Sequence, residues 1–367
     1  MVDIQNVLVY DIKVPKRFGN QRLIGSEMGS RVTLKTIAAY TGFSITTVSR
    51  ALAGYNDVSA ATREKVITAA RELGYYPNLT ARQLQKQRTD TVGLILPTYG
   101  PRYTDPYFSA IIAGIGDELA GYGLDLLLST HAPGPDEIDA YRRMVEGRRV
   151  DGLIVIRTRQ QDERIRYLAS TLLPFVVFGR SDLDIDFPYI DEDGEAGFYQ
   201  LTHYLLSLGH KRIAYISAPT DLIFANYRLA GYCRALNEAG LTCENDYLVY
   251  GDLTRKGGER AARQLLALRP RPTAIIAAND LMALGTIAVA QEMGLTIGQD
   301  LSIAGFDDVP SADIFSLTTL RQPIYDIGRQ LSAMLYRLIQ GEELEMRHIL
   351  LKPKLVIRSS TKPPQGE

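Results

Sequence analysis

The apolar rhythm of the chain changes at about residue 91. Over 31–77 apolar residues recur at helical spacing in three short bursts, at about 34–40, 45–52 and 60–73. Thr33, Ser44 and Ser59 stand where N-caps would, and Gly74 and Pro77 stop the third burst. Between the first two lies Thr41-Gly42-Phe43-Ser44, the short glycine-containing turn that a helix-turn-helix needs. Ala38 is small where those helices cross, Gly42 is free to take positive φ, and Val48 faces the same core. After Pro77 the chain is polar and basic to Arg88, with Leu84 as its one bulky apolar residue past the first turn. Two helical turns so poor in core residues are marginal alone, so this segment reads as a linker that orders on binding.

From Thr91 onward short apolar runs alternate with amphipathic stretches. The runs fall at 92–96, 124–128, 153–156, 175–178, 213–216, 248–250, 274–277 and 301–304. Helical patterns lie between them, at 108–122, 138–146, 194–208, 228–239, 257–268 and 280–293. Buried strands with helical crossovers predict parallel α/β sheets, with ligands at the strand C-termini. The stretch is long enough for two lobes, with a break near 184–190. A late helix is expected at 325–339 and a final strand at 349–357, after a crossing near 318–323.

Composition adds one correction to itself. The 367 residues suit two or three domains. The formal net charge of −1, from 41 basic and 42 acidic residues, argues against a nucleic-acid binder when taken as an average. The average hides a partition. Residues 31–88 hold nine Lys/Arg and three acids, 1–30 hold four and three, and the remainder holds 28 and 36. A basic module is joined to an acidic body, and basic modules of this kind bind phosphate backbones.

Other chemistries find little footing. Cys233 and Cys243 lack CxxC spacing, which excludes a zinc site and a disulfide framework and leaves buried free thiols as the expectation. The four histidines, 131, 203, 210 and 348, show no metal-ligand spacing. His210, in Leu208-Gly209-His210-Lys211, reads as a turn into a strand rather than a catalytic base. There is no P-loop, GxSxG or complete GxGxxG; Gly114-Ile115-Gly116 lacks the third glycine. No cofactor is expected. No apolar run reaches the ~18 residues of a membrane span. Residues 1–27 lack a sustained helical period, and 1–30 are expected to be a disordered extension, or 1–27 an over-long start ahead of Met28, with a short ordered arm as the alternative.

The residues also carry a family resemblance. Val32-Thr33-Leu34, Ala38, Gly42, Ser44 and Thr47-Val48-Ser49-Arg50-Ala51-Leu52 resemble the DNA-binding domain of the lactose/galactose repressor (LacI) family. Val58-Ser59, Thr62-Arg63-Glu64-Lys65-Val66 and Leu73-Gly74-Tyr75 with Pro77-Asn78 continue the likeness. Val92-Gly93, Asp151-Gly152-Leu153, Gly209-His210, Arg228-Leu229-Ala230-Gly231, Arg271-Pro272-Thr273-Ala274, Asn279-Asp280 and Gly305-Phe306-Asp307-Asp308 extend it to about residue 360.

The resemblance implies an α/β architecture: an all-α helix-turn-helix domain at 31–77, a hinge helix at 78–89, and a two-lobed effector and dimerisation domain at 90–360 folded like a periplasmic binding protein. The N-lobe would span about 90–187 plus 322–342, and the C-lobe about 188–320 plus 345–358. It implies a cytoplasmic, homodimeric transcriptional regulator, not an enzyme, with a pseudo-palindromic operator duplex and a small sugar as partners. Ile45, Thr46 and Arg50 would read bases in the major groove, where Arg50 suits guanine O6/N7. Thr33, Ser44, Thr47, Ser49 and Asn78 would hold phosphate or sugar, and Ala81 and Leu84 the minor groove, Leu84 as a wedge. The effector would meet Tyr107, Phe108, Arg228, Asn279 and Asp307, with Leu222, Phe224, Leu253 and Ile324 alongside. Tyr99, Arg102, Tyr103 and Asp105 could add contacts. One departure stands out: where several relatives carry a pocket acid after the fourth strand, this chain has Gly179 followed by Arg180. A regulator that needs a co-repressor such as a purine is the alternative, though Leu222 and Leu253 do not suit a purine site. A solute-binding protein without a DNA role is a further one. No heptad tail follows Ile357, so no tetramerising coiled coil is expected.

Overall fold

The computed structural model describes residues 32–75, 88–97, 105–243 and 245–365. The expected extension at 1–30, the contacts at Asn78, Ala81 and Leu84, and Tyr99, Arg102 and Tyr103 lie outside these residues. The chain divides into two compact units, Met1–Arg82 and Gln83–Glu367.

In the first unit three helices, α1 (Leu34–Thr41), α2 (Ile45–Leu52) and α3 (Ala60–Glu72), start and stop within a residue of the sequence expectation. Each begins on the hydroxyl foreseen for it. Thr36 N donates to Thr33 Oγ1, Thr47 N to Ser44 Oγ and Thr62 N to Ser59 Oγ. Caps of this kind contribute about 1 kcal/mol each. Gly42, at φ +74°, turns the chain between α1 and α2. Ile37, Val48, Ala51, Val66, Ala69 and Ala70 form the core.

The second unit holds two six-stranded sheets. The first runs β11 (His348–Leu351), β5 (Tyr189–Glu192), β4 (Phe175–Phe178), β3 (Gly152–Val155), β1 (Thr91–Pro97), β2 (Asp125–His131), all parallel. The second runs β12 (Lys354–Val356), β10 (Thr318–Arg321), β9 (Ser302–Asp307), β8 (Ala274–Ala277), β6 (Ile213–Ser217), β7 (Leu248–Tyr250), with only β12 antiparallel. Crossover helices cover them: α4 (Pro106–Gly121), α5 (Pro135–Glu146), α6 (Glu163–Ala169), α7 (Gly194–Ser207), α8 (Ile223–Glu238), α9 (Arg255–Ala267), α10 (Asp280–Glu292), α11 (Pro310–Ile314) and α12 (Ile324–Ile339).

Three sequence expectations need correcting. The lobe break does not fall at 188, because Tyr189–Glu192 is a strand of the first sheet, paired with β4 and β11. It escaped the apolar-run criterion because Asp191 and Glu192 fill half of it. The expected strand at 349–357 is two strands: β11 joins the first sheet and β12 the second, so 345–358 is shared between the lobes. The cysteines are not free. Cys233 on α8 and Cys243 beyond it are disulfide-bonded, their Cα atoms 5.2 Å apart. The positive-φ Gly240 folds the chain back after α8, which spacing alone does not reveal. His210 is buried and ties the C-terminal segment to the second sheet through Thr273 Oγ1, Ser302 Oγ and the Lys362 carbonyl.

α7 and α8 approach closely at Gly231, where an added Cβ would stand 2.1 Å from the Glu195 carbonyl oxygen. Backbone cannot yield as a side-chain tip can. Gly231→Ala is expected to destabilise the second unit by about 1–3 kcal/mol. A thermal melt would show this as a drop of several degrees; an unchanged melting temperature would contradict the close packing.

Candidate functional site

α2 presents one exposed face. Ile45 is 45% exposed, and Thr46 and Arg50 are exposed beside it, while Val48 and Ala51 turn inward. Positions 45, 46, 49 and 50 share that side of the helix. Ser44 and Thr47 lie at its N-terminal end, their hydroxyls 2.8 Å apart, and Thr33 caps α1. Ile45 is thus not consumed by the core. Arg50 pairs with Asp57 at 2.5 Å and lies 5.3 Å from the Tyr55 ring centre. Exposed pairs contribute little, about 0–1 kcal/mol, so Arg50 is readily recruited by a stronger acceptor.

In the second unit a cavity of about 40 Å³ lies where strands of the two sheets end. Tyr107 comes from the first turn of α4, Arg157 and Thr158 follow β3, Phe178 ends β4 with Gly179 after it, and Asp191 and Glu192 end β5. From the second sheet's side come Phe224 and Arg228 on α8, Leu253 after β7, Asn279 after β8 and Asp307 at the end of β9. Arg228 is buried; it donates to Glu192 Oε1 at 2.7 Å and to the Ala278 carbonyl at 2.6 Å, and lies 3.7 Å from the Phe306 ring centre. Asp307 accepts from Gln322 Nε2 at 2.6 Å and sits at φ +114°, a conformation that costs an L-residue energy. Asn279 caps α10 by accepting from Met282 N, and donates to the Leu253 carbonyl, so most of its side chain is already engaged.

Of the nine residues expected around an effector, Tyr107, Phe224, Arg228, Leu253, Asn279 and Asp307 meet at this cavity. Phe108 and Ile324 are buried in the core of the first sheet, and Leu222, just before α8, in the core of the second. Sequence reasoning missed Arg157, Thr158, Phe178, Asp191 and Glu192. For Arg157, Thr158 and Phe178 the signal available was their place at the ends of apolar runs; Asp191 and Glu192 lie in no such run. The departure at Gly179 is resolved by β5: the acids reach the cavity from Asp191 and Glu192 instead. Arg180 turns to Asp191, 2.6 Å away, and stacks on Tyr227.

The two lobes also touch through hydrogen bonds to backbone carbonyls. Ile223 N donates to the Thr158 carbonyl at 3.1 Å, Gln160 N to the Asp221 carbonyl and Gln160 Nε2 to the Thr220 carbonyl, with Arg159 and Leu222 forming an antiparallel bridge.

Residues 33–78 match the family model described as bacterial regulatory proteins, lacI family, and 89–359 match periplasmic binding proteins and the sugar-binding domain of the LacI family. This chain belongs to the LacI family. Among its relatives, the HTH-type transcriptional regulator AglR of Rhizobium meliloti is 35% identical over 90% of this chain and 95% of its own. Among solved structures, the Lac repressor dimer bound to operator and the anti-inducer ONPF superposes with a TM-score of 0.82, at 30% identity over 91% of this chain and all of that one. A complex of the regulator CelR with cellobiose gives 0.69, at 33% identity over 90% and 100%. As a LacI-family member the protein is a DNA-binding transcriptional regulator, not an enzyme. Among the described residues no helix is long and apolar enough to cross a membrane, and no cluster of His, Cys, Asp and Glu could hold a metal.

Burial sets the charge state of this LacI-family cleft. It pushes the Asp307 carboxyl well above the usual carboxylate range, with the Asp280 charge adding to it. It raises Asp191 to about 8, helped by the neighbouring Glu192 charge. Asp280 is raised to about 7 by burial, against the hydrogen bonds from Thr319 Oγ1 and Val309 N that oppose it. A carboxyl of this kind keeps a proton in the folded state that the unfolded chain has lost. For Asp280 stability therefore falls as pH rises from the ordinary carboxyl value of 3.8 towards about 7, and Asp191 extends the fall towards about 8. The melting temperature should decline across that window, and Asp280→Asn should flatten the decline. A melting temperature that rises over the same window would contradict the buried-proton assignment.

Proposed function

We propose that this regulator is a repressor of a carbohydrate-utilisation operon, released from its operator when a small sugar enters the interlobe cleft. The cleft chemistry carries the reading. Rings of Tyr107, Phe178 and Phe224 offer faces for sugar C–H groups, while Arg228 and Asp307 offer paired donors and acceptors for hydroxyls. Arg228 Nε is buried with no partner among the described residues, which leaves a donor for a ligand. The CelR–cellobiose complex supports the same class.

On DNA, Ile45, Thr46 and Arg50 read major-groove edges, with Thr33, Ser44, Thr47, Ser49 and Asn78 on phosphate or sugar. Ala81 and Leu84 engage the minor groove, where Leu84 wedges a base step. The protein acts in the cytoplasm as a homodimer on a pseudo-palindromic site; the solved Lac repressor is a dimer bound to operator. A cavity of about 40 Å³ holds a water or two, so sugar entry requires the lobes to part and breaks the Thr158–Ile223 and Gln160–Asp221 bonds. Coupling through such a change is reciprocal.

The operator is found by selection from a random duplex pool. Calorimetry with maltose, cellobiose, sucrose and raffinose, repeated with operator present, then measures both sides of the coupling. Sugar affinity should fall in the presence of operator by the factor by which sugar weakens operator binding. Equal sugar affinity in the two titrations would refute induction, and tighter binding would indicate a co-repressor. On the selected duplex, Arg50→Ala should cost about 1–3 kcal/mol and relax preference at one base pair, whereas Leu84→Ala should cost roughly tenfold in affinity. Gel-shift titration measures each, and unchanged affinity would remove that residue from the interface.

A further inference from the structure

Behind the cleft sits a fully buried arginine that takes no part in lining it. Arg164, on α6, spends all five of its N–H donors. Nε and Nη2 meet the two oxygens of Asp162 at 2.9 and 2.6 Å. Nη1 reaches Glu137 Oε1 at 3.0 Å and the Ile156 carbonyl at 3.2 Å, and Nη2 reaches the Arg157 carbonyl at 2.9 Å. The same carboxylates hold the next residue: Glu137 pairs with Arg159 at 2.9 Å, and Asp162 accepts from Arg159 N at 3.0 Å. Buried ion clusters gain little net stability, because desolvation offsets attraction. What this one does is fix the backbone of residues 156–159.

That backbone is one the chain would not choose. Arg157 sits at φ +55°, in the left-handed region that costs a non-glycine residue energy. The conformation sends its guanidinium over the Tyr107 and Phe108 rings, 5.4 and 4.9 Å from their centres, and into the cavity wall. Arg180, beside the cleft, already sits against Asp191 at 2.6 Å, and Arg228 in its wall against Glu192 at 2.7 Å. Among the described residues, the carboxylate beside Arg157 is Asp105, at 3.8 Å. Its donor fork is therefore open to a ligand, with an aromatic platform behind it.

We propose that Arg157 is a specificity-determining contact to the effector, gripping vicinal hydroxyls of a neutral glycoside from the first sheet's side, and that Arg164 is the residue that positions it. The proposal rests on the sugar reading above. A planar fork spans two adjacent oxygens, as a lysine cannot. Arg157 also adjoins Thr158 and Gln160, which bridge to the other lobe, so a ligand held there acts on the junction that moves.

Calorimetry on the full-length protein tests it with maltose, cellobiose, sucrose and raffinose, and with glucose 6-phosphate as the anionic comparator. If wild type binds none of the four neutral sugars, the sugar reading falls and this proposal with it, before any variant is made. If wild type binds one, Arg157→Ala should weaken that sugar by about tenfold or more, and Arg157→Lys should recover only part. Arg164→Lys should weaken it too, yet add less than about twofold in the Arg157→Ala background, while still lowering the melting temperature. Where Arg164→Lys does not fold, Glu137→Gln takes its place in the same cycle. Wild-type affinity in Arg157→Ala would overturn the contact. Additive losses in the double variant would overturn the positioning role. Tighter, Arg157-dependent binding of glucose 6-phosphate would overturn the neutral-glycoside class.

Discussion

Arg228 leaves α8, on the second sheet's side of the cleft, and meets Glu192 at the end of β5 in the first sheet, with both side chains almost excluded from solvent. A buried charge without a partner is costly by several kcal/mol, so the two lobes are bound to each other through this contact wherever it is dry. Much of the cleft follows from it. Phe306, Phe224 and Phe198 stack around the guanidinium, and the Ala278 carbonyl takes another of its donors. Any ligand that replaces Glu192 as the partner, or adds to it, alters the balance between lobe arrangements.

The same burial that demands the pair also sets the surrounding chemistry. Asp307, Asp191 and Asp280 stand where water is scarce, and their carboxyls hold protons more strongly than exposed ones. A protonated carboxyl donates as well as accepts, which suits hydroxyl recognition. The backbone contributes too. Asp307, Arg157 and Leu253 line the cavity at positive φ, and strain of this kind persists only where neighbours over-determine it. For Asp307 the Gln322 amide does so, and for Arg157 the buried Arg164 cluster.

The DNA-reading unit is built on a different economy. It is small, its core among the described residues is six buried side chains, and its helices are set by hydroxyl caps rather than by deep packing. Its exposed face needs only to be rigid and basic, because phosphate attraction provides affinity and a few side chains provide selectivity. This division explains a chain whose overall charge is near neutral although its parts are oppositely charged.

Local signals determined much of this protein. Capping hydroxyls, a glycine in a turn and 3.6-residue periodicity placed α1, α2 and α3, because those features act within a few residues. Apolar runs located the buried strands for the same reason. β5 stayed hidden, because half of Tyr189–Glu192 is acidic and only its position between β4 and β11 makes it a strand. The split of 349–357 between two sheets, the bond between Cys233 and Cys243, and the convergence of Arg157, Asp191 and Glu192 on one cavity were likewise decided in three dimensions. Each depends on contacts between residues far apart in the chain or on a turn that reverses it. No local propensity encodes which strand ends will face each other across a cleft.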